Sequence, residues 1–260
     1  MRVYQHPTTK NFGDTLSLPL LRHFAAGPVR RAEKTDTGKV VAVGSVMHCI
    51  RPGDVVWGTG VQEDRRYSAA RTRFVAVRGP ISRAAIDNAT VPRVYGDPGM
   101  LLPLVYDPVV EVRYDVGVVP HYLDAQLSRQ RHPDALHISV KRDWRHVVRQ
   151  IKSCRQIIAT SLHGVVVAEA YGLPVVWHGS YSRNLVSVNL KFQDYFLGTG
   201  RDCQVPGVVD PLPRSVWEER CRGLIDAVGH PILNPPPSSL PIPSLWVIPV
   251  LNPTTSTKFS

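Results

Sequence analysis

Short β-branched apolar runs alternate along the chain with stretches whose apolar residues recur at helical spacing. The clearest case runs Gln156-Ile-Ile-Ala-Thr-Ser-Leu-His-Gly-Val-Val-Val-Ala-Glu-Ala-Tyr-Gly-Leu-Pro-Val-Val-Trp177. Its first residues have the composition of a short buried strand. Thr160 and Ser161 supply helix-capping hydroxyls. A helix is expected from Gly164 to Tyr171, ended by Gly172 and barred from continuing by Pro174. Val175-Val-Trp177 is a second buried strand, so the whole predicts a βαβ crossover between parallel strands.

The same alternation recurs on both sides. Thr15 to Phe24 reads as an amphipathic helix behind Asn11-Phe-Gly-Asp14. Lys39-Val-Val-Ala-Val-Gly44, Asp54-Val-Val-Trp-Gly-Thr-Gly60 and Arg73-Phe-Val-Ala-Val-Arg78 read as strands, and Gly79-Pro80 opens a helix through Ile86. Arg93 to Gly99 closes a further short strand in a turn. A second series begins with strands at Asp115–Tyr122 and Ala135–Val140 and a helix at Trp144–Cys154, where Trp144, Val147, Val148 and Ile151 share one face. Strands alternating with helices predict an α/β fold with open parallel sheets, in two Rossmann-like lobes facing a cleft. The expected division is 1–108, then 109–230 after a linker at Pro103–Arg113, then a proline-rich tail over 231–260 that can be neither helix nor central strand.

Candidate chemistry gathers at strand ends. Ligands of open parallel sheets sit beyond the carboxyl ends of the strands, where Thr160, Ser161 and His163 fall. The N–H groups opening the helix there form an anion site. The plainer reading is that the hydroxyls only cap and the histidine is structural. What favours function is the conjunction of hydroxyls, an imidazole and a helix N-terminus. His121 ends another strand. Asp14 and Asn11, at a loop–helix junction, suit either capping or sugar hydroxyls.

Charge narrows the partners. The formal net charge is +10, which favours anionic ligands. The basic residues are scattered, so no nucleic-acid surface is expected, and peripheral contact with an anionic membrane is. Cys49, Cys154, Cys203 and Cys221 lack a C-x-x-C spacing, and no export signal or membrane span is apparent. A cytoplasmic protein with reduced thiols is the expectation.

Six motifs then stand in order: Asn11-Phe-Gly-Asp14, Val56-Trp-Gly-Thr-Gly60, Val77-Arg-Gly-Pro80, Tyr95-Gly-Asp-Pro-Gly99, Ser161-Leu-His-Gly164 with Ala168-Glu-Ala-Tyr-Gly-Leu-Pro174, and Lys191-Phe-Gln-Asp-Tyr-Phe196. Over residues 1–200 the set resembles the polysaccharide pyruvyl transferase family, most closely the bacterial enzymes of exopolysaccharide synthesis. The resemblance implies two lobes in the manner of GT-B glycosyltransferases. It also implies transfer of a pyruvyl group from phosphoenolpyruvate onto two hydroxyls of one sugar, as a cyclic ketal. No metal or organic cofactor is implied. The implied acceptor is a lipid-linked oligosaccharide at the inner face of the cytoplasmic membrane.

On that reading phosphoenolpyruvate, with its carboxylate and phosphate, needs cations and N–H donors. Ser161, His163, Gly164, His121, Lys141 and Lys191 are the candidates. Asn11, Gly13, Asp14, Arg78 and Asp97 are the candidate acceptor residues, with His163 as acid and Asp14 orienting or deprotonating the hydroxyl. Arg78 suits carbonyl capping equally, and Asp97 an Asx turn. Ser161 departs from relatives that carry arginine before Leu-His-Gly, so another cation or the helix terminus must serve. Two other readings share the pattern: a glycosyltransferase using a nucleotide sugar, and a non-catalytic glycan-binding scaffold.

Overall fold

A computed structural model describes residues 1–6, 11–25, 27–181 and 185–228. The proline-rich tail expected over 231–260 lies outside the described residues.

The first half opens with β1 (Arg2–Tyr4). A 3-10 turn at Phe12–Thr15 leads into α1 (Ser17–Phe24), which buries Ser17, Leu20, Leu21 and Phe24, the i, i+3, i+4, i+7 stripe of an amphipathic helix. Then come β2 (Arg30–Ala32), β3 (Val40–Val41), β4 (Val55–Trp57), β5 (Tyr67–Ser68), β6 (Arg73–Ala76), α2 (Pro80–Ala84) and β7 (Ile86–Asp87). A 3-10 turn at Pro98–Leu101 runs into α3 (Leu102–Val105). Strands β2-β1-β3-β4-β6 form one parallel sheet, and β5 pairs with β7.

The second half holds β8 (Tyr114–Val119), α4 (Ala125–Arg131), β9 (Leu136–His137), α5 (Trp144–Lys152), β10 (Cys154–Ala159), α6 (Leu162–Ala170), β11 (Val175–Trp177), α7 (Leu185–Gly198), β12 (Gly207–Val208) and α8 (Arg214–Val228). Its sheet runs β12-β11-β10-β8-β9, parallel except for antiparallel β12. The crossover β10–α6–β11 is present with its strands in parallel register, Ile157 opposite Val175 and Ala159 opposite Trp177. Gly172 ends α6 at φ +76°, a left-handed conformation that glycine adopts without strain. The helix starts two residues earlier than expected, at Leu162 directly after the Ser161 cap.

α6 is buried on every side, all nine residues from Leu162 to Ala170. A helix apolar all round belongs inside a core. It packs against β10 and β11 on one side and against the 3-10 turn at Pro98–Leu101 and α3 on the other. One hydrophobic cluster therefore runs through both halves, from Val3 and Leu20 to Ile157 and Trp177. α8 strengthens the join. Although it follows the second sheet in sequence, it returns to the first: Trp57 Nε1 donates to Leu224 O at 2.8 Å, and Trp217 Nε1 donates to Met100 O at 3.0 Å. No helix among the described residues is long and apolar enough to cross a membrane.

Candidate active site

The 3-10 turn Phe12–Thr15 is fixed from both sides. Asn11 Oδ1 accepts the Gly13 N–H at 3.1 Å, and the Phe12 N–H donates to Val140 O at 2.7 Å, fastening this turn of the first half to the second. Gly13 then lies flush against His163. A Cβ added to Gly13 would fall 2.0 Å from His163 Nδ1, so the imidazole occupies the space a side chain would need. Phe12 presents its ring edge-on to the same imidazole, with centroids 6.5 Å apart.

Behind His163 stands Asp97. Its Oδ1 accepts the Gly99 N–H at 2.9 Å and caps the turn Pro98–Leu101. Its Oδ2 faces His163 Nε2 at 3.7 Å, beyond hydrogen-bond length. Both atoms are shut off from solvent, and neither has a hydrogen-bond partner among the described residues.

In front of His163 opens a cavity of about 350 Å³. The first half contributes His6, Asn11, Asp14 and His48, and the second His121, His163 and Lys191. Asp14 is the one acid among the described lining residues. Burial raises its carboxyl above the usual carboxylate range, while the positive charge of His163, His6 and Lys191 draws it part of the way back. Burial also lowers His48, helped by repulsion from Lys34 and Arg65. The result is a small polar chamber with a protonatable carboxylate opposite an imidazole, set among cationic groups.

The candidates read from the sequence sort accordingly. Asn11, Asp14, His121, His163 and Lys191 share the chamber, with Gly13 beneath the imidazole. Ser161 does not line it. Its Oγ accepts the Gly164 N–H at 3.1 Å and donates to Val119 O at 3.3 Å, so the start of α6 is closed by its own cap. Thr160 Oγ1 accepts the His121 N–H at 2.8 Å. Gly164 lets α6 press on β8: a Cβ there would meet Ser161 Oγ at 2.7 Å and Val119 at 2.9 Å. Lys141 lines neighbouring cavities instead.

Arg78 is wholly buried. Its guanidinium donates to Asp194 Oδ2 at 3.0 Å, to Ser45 Oγ at 2.7 Å and to Val61 O at 2.6 Å. Asp194 also accepts from Ser82 N at 2.8 Å and Ser82 Oγ at 2.5 Å. The arginine of Val77-Arg-Gly-Pro80 and the aspartate of Lys191-Phe-Gln-Asp-Tyr-Phe196 thus staple the first sheet to α7. Asp97 is likewise enclosed, facing His163 rather than the chamber. Sequence reasoning did not single out His6, His48 or Tyr122 as site residues; they come from separate points along the chain with no shared motif.

The parallel α/β fold thus brings an imidazole and a carboxylate together at one polar chamber. The chain matches the family described as "Polysaccharide pyruvyl transferase" over residues 9–180 and belongs to it. It is 30% identical over 173 residues to an uncharacterized protein of Acanthamoeba polyphaga mimivirus, a stretch that covers 62% of this chain and 60% of that protein. The chain thus spans less than two thirds of that relative's length. No solved structure matches it.

Proposed function

We propose that the chain is a ketal pyruvyltransferase that moves a pyruvyl group from phosphoenolpyruvate onto two hydroxyls of one sugar, with no cofactor beyond the donor. The acceptor in this reading is a polysaccharide repeat unit carried on a lipid at the inner face of the cytoplasmic membrane. The chain's net charge of +10 suits that surface. The reading also takes residues 1–108 and 109–230 as two GT-B-like lobes, with the acceptor on the first and the donor on the second.

One observation carries the proposal. A single carboxylate, Asp14, shares its chamber with Lys191 and four imidazoles. Phosphoenolpyruvate brings a carboxylate and a phosphate, which call for a cation and N–H donors of this kind. A chamber of about 350 Å³ lies within the usual range for small-ligand sites, about 300–1,000 Å³.

The chemistry follows from the arrangement. His163 gives a proton to the methylene carbon of the donor, leaving cationic character on the adjacent carbon. Asp14 takes the proton of the first sugar hydroxyl as its oxygen bonds to that carbon. The carbon–oxygen bond to phosphate then breaks. The second hydroxyl closes the ring, and its proton leaves with the phosphate. One hydroxyl proton thus replaces the proton put on the methyl group, and the other balances the departing phosphate. The raised carboxyl of Asp14 suits a group that must accept a proton near neutral pH.

Calorimetric titration of the full chain with phosphoenolpyruvate and, separately, with nucleotide sugars tests the donor. Saturable binding of phosphoenolpyruvate alone is expected. Binding of a nucleotide sugar alone turns the assignment toward glycosyl transfer.

A further inference from the structure

A second cavity, of about 450 Å³, lies between α1 and the start of α5 and shares Asn11 with the reaction chamber. Its charge is one-sided. Arg22 from α1, Lys141 and Arg142 from the approach to α5, and Arg145 from its first turn line it, against a single acid, Asp143. Asp143 is already engaged, since its Oδ1 accepts the Arg145 N–H at 2.9 Å as the cap of α5. None of the four cations has an ion-pair partner among the described residues.

Two features make this more than a solvated basic face. The Arg145 guanidinium lies over Trp144, its Cζ 4.3 Å from the ring centroid, and over Tyr106, 5.9 Å away. An arginine stacked in this way presents its outer donors with little further ordering cost. Gln5, also lining the cavity, holds a buried Oε1 with no hydrogen-bond partner among the described residues. That acceptor suits a hydroxyl donor. The cavity therefore offers both halves of an acidic sugar's recognition: cations for the charge and a carbonyl for a hydroxyl.

A small hollow of about 40 Å³ is lined by Tyr122, which belongs to the reaction chamber, and by Val140 and Lys141, which belong to the basic cavity. A chain of sugars with its reacting end beside Asp14 and His163 can continue past Asn11 into the basic cavity.

Resting on the pyruvyl-transfer reading above, we propose that this cavity is an acceptor subsite for a negatively charged group, carboxylate or phosphate, on a sugar next to the one that reacts. The substrate class is an acidic oligosaccharide, and Arg22, Arg142 and Arg145 set the preference for it.

The test is binding to the full chain without phosphoenolpyruvate, so that it does not depend on turnover. Three galactose-ended oligosaccharides serve as probes: a trisaccharide with a central glucuronate, the same with glucose in its place, and a disaccharide of uncharged sugars with a phosphate on its second, reducing-end sugar. At least one charged probe should bind about tenfold tighter than the neutral one, the scale of one charge-assisted hydrogen bond. The tighter of the two identifies the anion. The preference should weaken with added salt and vanish in Arg142→Glu and Arg22→Gln, both surface changes that the fold tolerates. Equal affinity for all three probes overturns the proposal. So does a loosened Kd for phosphoenolpyruvate in Arg142→Glu, which would put the donor there instead. Charge preference without pyruvyl transfer supports the subsite and counts against the reaction. Transfer without charge preference does the reverse.

Discussion

His163 Nε2 faces Asp97 Oδ2 across 3.7 Å, in a pocket where neither atom meets solvent or a hydrogen-bond partner among the described residues. The carboxylate backs one edge of the imidazole, and the opposite nitrogen, Nδ1, lies toward Gly13 and the turn that bears Asp14. Asp97 is thus a positioning residue. Asp97→Asn keeps the shape and the Oδ1 cap on Gly99 but removes the charge. The kcat for phosphate release should fall about 10- to 100-fold, short of the full general-acid contribution of about 10²–10⁴. KM for phosphoenolpyruvate should change little. A shift confined to KM would contradict this role.

Gly13 is required by space rather than by backbone freedom. Gly13→Ala puts a Cβ 2.0 Å from His163 Nδ1 and forces the ring aside. Overpacking of this kind costs about 1–3 kcal/mol of stability. The larger effect should be on rate, since a reacting group displaced by about 1 Å loses about 10²-fold. Steady-state kinetics beside a urea denaturation curve separates the two. A variant that keeps its rate would mean that the imidazole is not poised where Gly13 holds it.

The Arg78–Asp194 pair should matter to folding rather than chemistry. Both side chains are fully buried. Asp194→Ala leaves the guanidinium uncompensated, and breaking a buried pair costs about 3–5 kcal/mol. Gly79 backs this staple closely: a Cβ there would fall 1.7 Å from Asp194 O. Chemical denaturation of Asp194→Ala should show the loss. An unchanged midpoint would mean that the join between the first sheet and α7 carries little energy.

These residues mark what the sequence could and could not express. The crossover around α6 was readable because an apolar run, a capping hydroxyl and a C-terminal glycine stand next to one another. α5 was readable from one face of Trp144, Val147, Val148 and Ile151. β1 was not, since Arg2-Val-Tyr4 is too short to show a period, and β2 buries only Ala32. α8 carries a helical stripe in Trp217, Cys221, Leu224 and Ile225, but nothing local says that it returns to the first sheet. Arg78 could not be sorted from its neighbours alone, because its partner lies 116 positions away. The motif glycines were visible, but not that Gly13 makes room for His163.

Asp14 links pH to stability. Burial raises its carboxyl above the ordinary 3.8, so the folded chain keeps a proton that the unfolded chain has released. Stability from this group is fully present below 3.8 and is lost as pH rises from there through the raised value. Asp14→Asn has no such slope. The variant should therefore gain on the parent protein between about pH 4 and neutrality, while losing transfer activity. Urea midpoints of both proteins across that range check it. A parent protein that gains on the variant over the same range would contradict the assigned direction.

The most direct measurement follows phosphoenolpyruvate labelled with ¹³C at its central carbon, incubated with the full chain and a sugar-ended acceptor, by carbon and phosphorus NMR. The account predicts that inorganic phosphate and a ketal carbon grow at equal rates, and that His163→Ala slows both by about 10²–10⁴. Equal rates in His163→Ala and the parent protein, or phosphate release with no ketal formed, would contradict it.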